Sequence, residues 1–204
     1  MVQCFVTGDM VNRPRKREYG TMLEQYDLII FDLDGTLADR DTSQLLPGVR
    51  SWFQHARPSL SAVVVLASNQ GGVGLRYWME SQGFGEPEKY PTAKGVEARL
   101  LSVMEQLEFN GRGIDDACMA FAYQSKASGK WAPTPDIYQA EFHSVYGRWD
   151  ATFRKPAPGM LLDFMREYRA NAGHTLMVGN SEEDHLAAAA AGCKFVEANA
   201  FFNR

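Results

Sequence analysis

Two carboxylates, Asp32 and Asp34, stand two residues apart in the run Phe31-Asp32-Leu33-Asp34-Gly35-Thr36-Leu37. Acids this close repel each other unless a cation or a proton separates them. At the end of a buried strand the pair suits a nucleophilic carboxylate, a divalent metal and a general acid/base. Farther along, Ser68-Asn69-Gln70-Gly71-Gly72 sets a hydroxyl ahead of glycines whose backbone N–H groups can meet a phosphoryl oxygen. Arg154-Lys155-Pro156, followed by Pro158-Gly159-Met160, fixes a lysine ahead of a helix. There it can offset the charge of a nucleophile and of a transferring phosphoryl group. Singly, each run has a plainer reading: an Asp-Gly turn, a capped polar turn and a Lys-Pro surface turn.

The elements that must carry these residues follow from hydrophobic patterning. Residues 26–31 read as a buried strand, since Leu28, Ile29, Ile30 and Phe31 are apolar without interruption. Residues 61–67 form a second strand, 117–123 a third, 175–178 a fourth and 194–196 a short fifth. In 93–109, Val96, Leu100, Val103, Met104 and Leu107 recur like one face of a helix. A further helix starts near Pro47, and residues 158–168 and 183–191 read as two more, the last rich in Ala. Strands alternating with helices give an α/β domain over residues 26–204, preceded by an arm, residues 1–25. That arm carries the basic cluster Arg13, Arg15, Lys16 and Arg17. The loop 124–136 lacks periodicity and is long enough to be functional.

The run Asp-x-Asp-Gly-Thr resembles the first motif of the haloacid dehalogenase superfamily, most of whose members hydrolyse phosphate esters. Ser68-Asn69-Gln70 is similar to the second motif, and Arg154-Lys155-Pro156 with Pro-Gly-Met resembles the third. Both have the form of the branch holding histidinol-phosphate, heptose bisphosphate and polynucleotide 3′-phosphatases. The resemblance implies a three-layer Rossmann-like fold with a central, mostly parallel sheet. It also implies a phospho-aspartate at Asp32, a general acid/base at Asp34, and phosphoryl contacts from Ser68 and Lys155. Asn69 and Arg154 are then expected to contact substrate. Mg²⁺ is expected at Asp32, Asp34, Asn180 and Asp184. Asn180 departs from the family's pattern, which has an aspartate there; an amide oxygen can ligate Mg²⁺ but brings no charge. Glu183, one residue before Asp184, could supply the missing charge. Some relatives carry a zinc-binding Cys/His loop before the third motif. Here that stretch has only Cys118 and His143, too few for a closed tetrahedral site.

About a dozen residues separate Asp34 from the helix near Pro47, too few for a folded cap. The expectation is a capless or minimally capped site edged by Asp39, Arg40, the 124–136 loop and the N-terminal arm. The formal net charge of −4 gives no general attraction to nucleic acid or anionic membrane. No apolar run is long enough to span a bilayer, and the first residues lack the order of a signal peptide. Cys4, Cys118 and Cys193 are odd in number and far apart, which fits reduced thiols in a cytoplasm. The expected partner is a small phosphate ester, the phosphate of a sugar or other metabolite; a nucleic-acid end is the less favoured one, and the oligomeric state is open. Two alternatives stay open: a polynucleotide 3′-phosphatase, and a phosphate-binding pseudoenzyme motivated by Asn180.

Overall fold

Along the first strand, β1 (Leu28–Phe31), successive side chains enter opposite layers of the protein. Ile29 and Phe31 pack into one apolar cluster, Leu28 and Ile30 into the other. The same alternation runs through β2 (Val63–Asn69), β3 (Asp116–Ala120) and β5 (Thr175–Gly179). A strand buried on both faces has to be apolar throughout, which is why these segments read as continuous hydrophobic runs. The computed structural model describes residues 23–137 and 139–204. The basic cluster at 13–17 and Cys4 lie outside the described residues.

Six strands form one sheet in the order β4-β3-β2-β1-β5-β6, with β4 (Gly147–Arg148) and β6 (Lys194–Glu197) at its edges. Every pairing is parallel. Among the described residues, six helices cover the two faces. On one side lie α1 (Val49–His55), α2 (Gly72–Gln82), α3 (Ala93–Gln106) and α6 (Ala198–Phe202). On the other lie α4 (Gly159–Glu167) and α5 (Glu182–Ala191). The first layer is anchored by Phe31, Trp52, Phe53, Phe201 and Phe202, whose rings meet mostly edge to face. In the second, Ala187, Ala188 and Ala191 of α5 are buried with Met160, Leu161 and Phe164 of α4.

The three-layer α/β architecture matches the sequence expectation. Among the described residues no folded cap interrupts the 32–48 stretch; it carries only single bridges, Asp34 to Ala38 and Ala38 to Leu45. The differences include two boundaries and one strand that the sequence did not announce. The third strand stops at Ala120, where its partner β2 ends at Asn69. Helix α3 ends at Gln106, and Asn110 and Gly111 then turn the chain with positive φ. Strand β4 has no hydrophobic run to announce it. Its Gly147 is required by packing, since a Cβ there would lie 2.2 Å from the Phe121 ring.

From β1 the chain steps outward through β2, β3 and β4, then returns to the other side of β1 as β5. The order of strands therefore reverses between β1 and β5. In open α/β sheets, ligands bind at the carboxyl edge beside such a reversal. Asp32 follows β1 and Asn180 follows β5, so the two residues flank that point.

Candidate active site

Lys155 is the hub of the site. Its buried ammonium donates to Asp32 Oδ1 at 2.7 Å, Asp184 Oδ1 at 2.5 Å and the Ala67 carbonyl at 2.8 Å. Burial alone would push this lysine down, but the Asp32 and Asp184 carboxylates outweigh it and raise the ammonium above its ordinary value. Asp32 is pushed up to about 6, mainly by burial and with help from Asp184, against the pull of Lys155. A buried cation between two buried acids keeps its charge because its three donors are all satisfied.

Asp184 is in turn held by the turn that starts α5. Its Oδ2 accepts from the backbone N–H of Asn180 and Ser181 and from Ser181 Oγ, at 3.1, 3.0 and 2.7 Å. Ser181 Oγ accepts back from the Asp184 N–H, completing a capping box. Sequence reasoning expects Asp184 at a metal; the structure places both of its oxygens on protein donors. Glu183 is the acceptor for Asn69 Nδ2 at 2.9 Å.

The second-motif residues support this hub. The Asn69 side chain accepts from the Lys155 N–H at 2.9 Å and donates to the Lys155 carbonyl at 2.8 Å. Sequence reasoning expects Asn69 at substrate; the structure uses its amide to clamp the Lys155 peptide. Buried Ser68 accepts from Gln70 Nε2 at 2.9 Å, and that same amide donates to Asp34 Oδ2 at 2.9 Å. Arg154 points from the third motif toward β3, donating from Nη1 to the Ala122 carbonyl at 3.3 Å.

Asp34 has a partner that sequence reasoning missed. Arg99, from the flank of α3, donates to its Oδ1 at 2.7 Å. The guanidinium also bonds Ser43 Oγ at 2.9 Å and the Asp39 carbonyl at 3.1 Å. The exposed Arg40 stands farther off, with Nε 3.9 Å from Asp34 Oδ2. The available sequence signal was weak: Arg99 adjoins the buried stripe of Val96, Leu100 and Val103, where a long side chain can reach over the helix edge.

Asn180 lies against the Asp34–Gly35 turn. Its Oδ1 accepts from Thr36 Oγ1 at 3.3 Å, and a Cβ on Gly35 would come within 2.2 Å of its Nδ2. Residue 35 is glycine for this contact and for its φ of 80°. The Asp32 carboxylate, the Asp34 carbonyl and the Asn180 amide oxygen thus belong to adjoining turns. All three are hard oxygen donors, a set that fits Mg²⁺.

A parallel α/β sheet with two acids after β1, a hydroxyl at the end of β2 and a lysine shared with a third acid defines a class. The chain belongs to the haloacid dehalogenase-like hydrolases, whose family model matches residues 26–192. It is 25% identical over 176 residues to the D-glycero-beta-D-manno-heptose-1,7-bisphosphate 7-phosphatase of Pasteurella multocida, covering 81% of this chain and 77% of that protein. To the D-glycero-alpha-D-manno-heptose-1,7-bisphosphate 7-phosphatase of Burkholderia mallei it is 34% identical over 141 residues, 67% of this chain and 57% of that one. In fold it is similar to the crystal structure of D,D-heptose 1,7-bisphosphate phosphatase from B. bronchiseptica, complexed with magnesium and phosphate. That match has a TM-score of 0.55 at 24% identity and covers 83% of this chain and 78% of the other. No helix among the described residues is long and apolar enough to cross a membrane.

Proposed function

We propose that this protein is a Mg²⁺-dependent phosphomonoester hydrolase that works through a phospho-aspartate and acts on a small sugar or metabolite phosphate. The observation that carries the reading is the Lys155 ammonium held between Asp32 and Asp184. A lysine there neutralises the nucleophile and the incoming dianion together. The similarity to two heptose bisphosphate phosphatases supports the phosphatase class and a small substrate.

In this reading Asp32 attacks phosphorus in line and forms the acyl phosphate as the ester oxygen departs. Asp34 gives that oxygen its proton, then takes one from the water that cleaves the acyl phosphate. Ser68 and Lys155 hold the equatorial oxygens, and Arg154 contacts substrate on the side of β3. Asn69 serves substrate indirectly, by fixing the Lys155 peptide. Asp32, the Asp34 carbonyl and Asn180 would hold Mg²⁺, with Asp184 behind them ordering the Asn180 turn. The metal supplies positive charge that lets the dianionic phosphate approach two carboxylates.

A panel of phosphate esters assayed with and without Mg²⁺ tests the proposal. Turnover that needs the metal and disappears in Asp32→Asn supports it; metal-independent turnover, or activity unaffected by Asp32→Asn, contradicts it. Asn180 favours a second reading, a phosphate-binding protein without turnover, and that reading requires binding of phosphate with no hydrolysis of any ester in the panel.

A further inference from the structure

A cavity of about 770 Å³ opens at the carboxyl edge of the sheet beside β3 and β4, away from the nucleophile. That volume is in the range of small-molecule sites, about 300–1,000 Å³. Its walls come from the stretch between β3 and α4, and include Trp131, Ile137, Phe142, Val145 and Trp149. Trp131, Ile137 and Val145 are exposed, although they are large and apolar. A covered core would have hidden them, so these side chains line an open space.

The cavity comes nearest the catalytic residues at Ala122. Ala122 is on its wall, and the Ala122 carbonyl accepts from Arg154, the neighbour of Lys155. From β1, where Asp32 stands, to β3 is two strand spacings, about 10 Å. A phosphomonoester whose phosphorus sits at Asp32 can therefore extend past Arg154 and place the far end of its alcohol in the cavity.

The chemistry of the walls selects that far end. Thr134, His143, Ser144, Arg148 and Asp150 bring polar groups to the wall, and several of these are bonded within the loop. Trp149 Nε1 donates to the Phe142 carbonyl at 3.2 Å, and Arg148 Nη1 to the Val145 and Gly147 carbonyls, both at 3.1 Å. Asp150 Oδ1 accepts from Thr152 N–H at 2.7 Å and from its hydroxyl at 2.8 Å, and Ser144 Oγ accepts from the Tyr146 N–H at 3.2 Å. A polyhydroxylated chain buried here would lose water against the apolar faces of Trp131, Ile137, Phe142 and Val145, which is unfavourable. A flat aromatic ring gives up little water and gains a tryptophan face.

We infer that this cavity is the leaving-group subsite and takes phosphomonoesters whose alcohol carries a planar aromatic ring. The inference rests on the proposed hydrolase reading and narrows its substrate class.

A matched pair of probes tests it. Ribose 5-phosphate and adenosine 5′-monophosphate present the same primary alcohol and differ by the ring. The wild-type protein with Mg²⁺ should favour adenosine 5′-monophosphate in kcat/KM by about tenfold or more, through KM, as expected for one stacked base. Trp131→Ala should bring the two esters level without changing the rate with ribose 5-phosphate, and Val145→Asp, on the exposed rim, should shrink the preference independently. Equal rates, a preference for ribose 5-phosphate, or a preference that survives in both variants overturns the assignment. Calorimetric binding of the same two probes to Asp32→Asn protein separates the two readings. Tighter binding of the ring-bearing ester with no turnover by wild type sinks the hydrolase and leaves the subsite standing. Turnover with no difference in binding or rate sinks the subsite alone.

Discussion

Arg99 and Asp34 are 65 positions apart in sequence, yet Arg99 Nη2 donates to Asp34 Oδ1 at 2.7 Å. Gln70 holds the other oxygen, so the carboxylate has a donor on each side and a single orientation. The same guanidinium reaches Ser43 and the Asp39 carbonyl, tying the acid to the loop that edges the site. Orientation of a proton donor matters only in the step where the proton moves.

Arg99→Gln should therefore lower kcat by about tenfold with KM nearly unchanged. The loss should be larger for alkyl phosphates than for 4-nitrophenyl phosphate, whose leaving group needs little protonation. Equal losses across the two ester classes would show that Arg99 supports the fold and not the acid.

Asn180 brings no charge to the proposed metal site, so Mg²⁺ should bind weakly. Asn180→Asp restores one negative charge and should move half-saturation by Mg²⁺ to a lower concentration, by about tenfold. Superimposable Mg²⁺ titrations of the two proteins would mean that residue 180 is not a ligand.

Much of this was legible from the sequence because local patterns carried it. Leu28 to Phe31 had to be a strand buried on both faces, and Asp32 followed it directly. Lys155 was marked by its prolines, whereas the capping box of Ser181 and Asp184 emerged only in the structure. What stayed hidden were contacts that close over long separations. Nothing near Arg99 says that it reaches Asp34, and Asn69 looks like a substrate ligand until the Lys155 peptide is seen beside it. Strand β4 stayed hidden for another reason: two residues, one of them glycine, carry no periodicity.

Gly74→Ala separates helix propensity from packing. Alanine in a helix is normally favoured over glycine by about 1 kcal/mol. In α2, however, a Cβ at this position would lie 2.3 Å from the Phe121 carbonyl oxygen, and backbone cannot swing aside. The clash should win, lowering stability by about 2 kcal/mol. A urea midpoint that rises on substitution would refute the close approach of α2 to the end of β3.

A small ester should outcompete a nucleic-acid end. A groove that tracks a strand needs several Lys or Arg residues to displace counterions. This chain has four more acids than bases, and the clamp at Arg154 and Lys155 is local. At physiological salt, a 3′-phosphorylated oligonucleotide should give a lower kcat/KM than the best small phosphomonoester. The reverse order would make the basic cluster at 13–17 the place to look for a strand contact.

The central claim is that Asp32 becomes covalently phosphorylated. Acid quenching during turnover, followed by borohydride reduction, converts an aspartyl phosphate to homoserine, which peptide mass spectrometry locates. The account predicts homoserine at position 32, absent without substrate and absent in Asp32→Asn. Steady turnover with residue 32 recovered only as aspartate, or with the reduced residue found elsewhere in the chain, would contradict it.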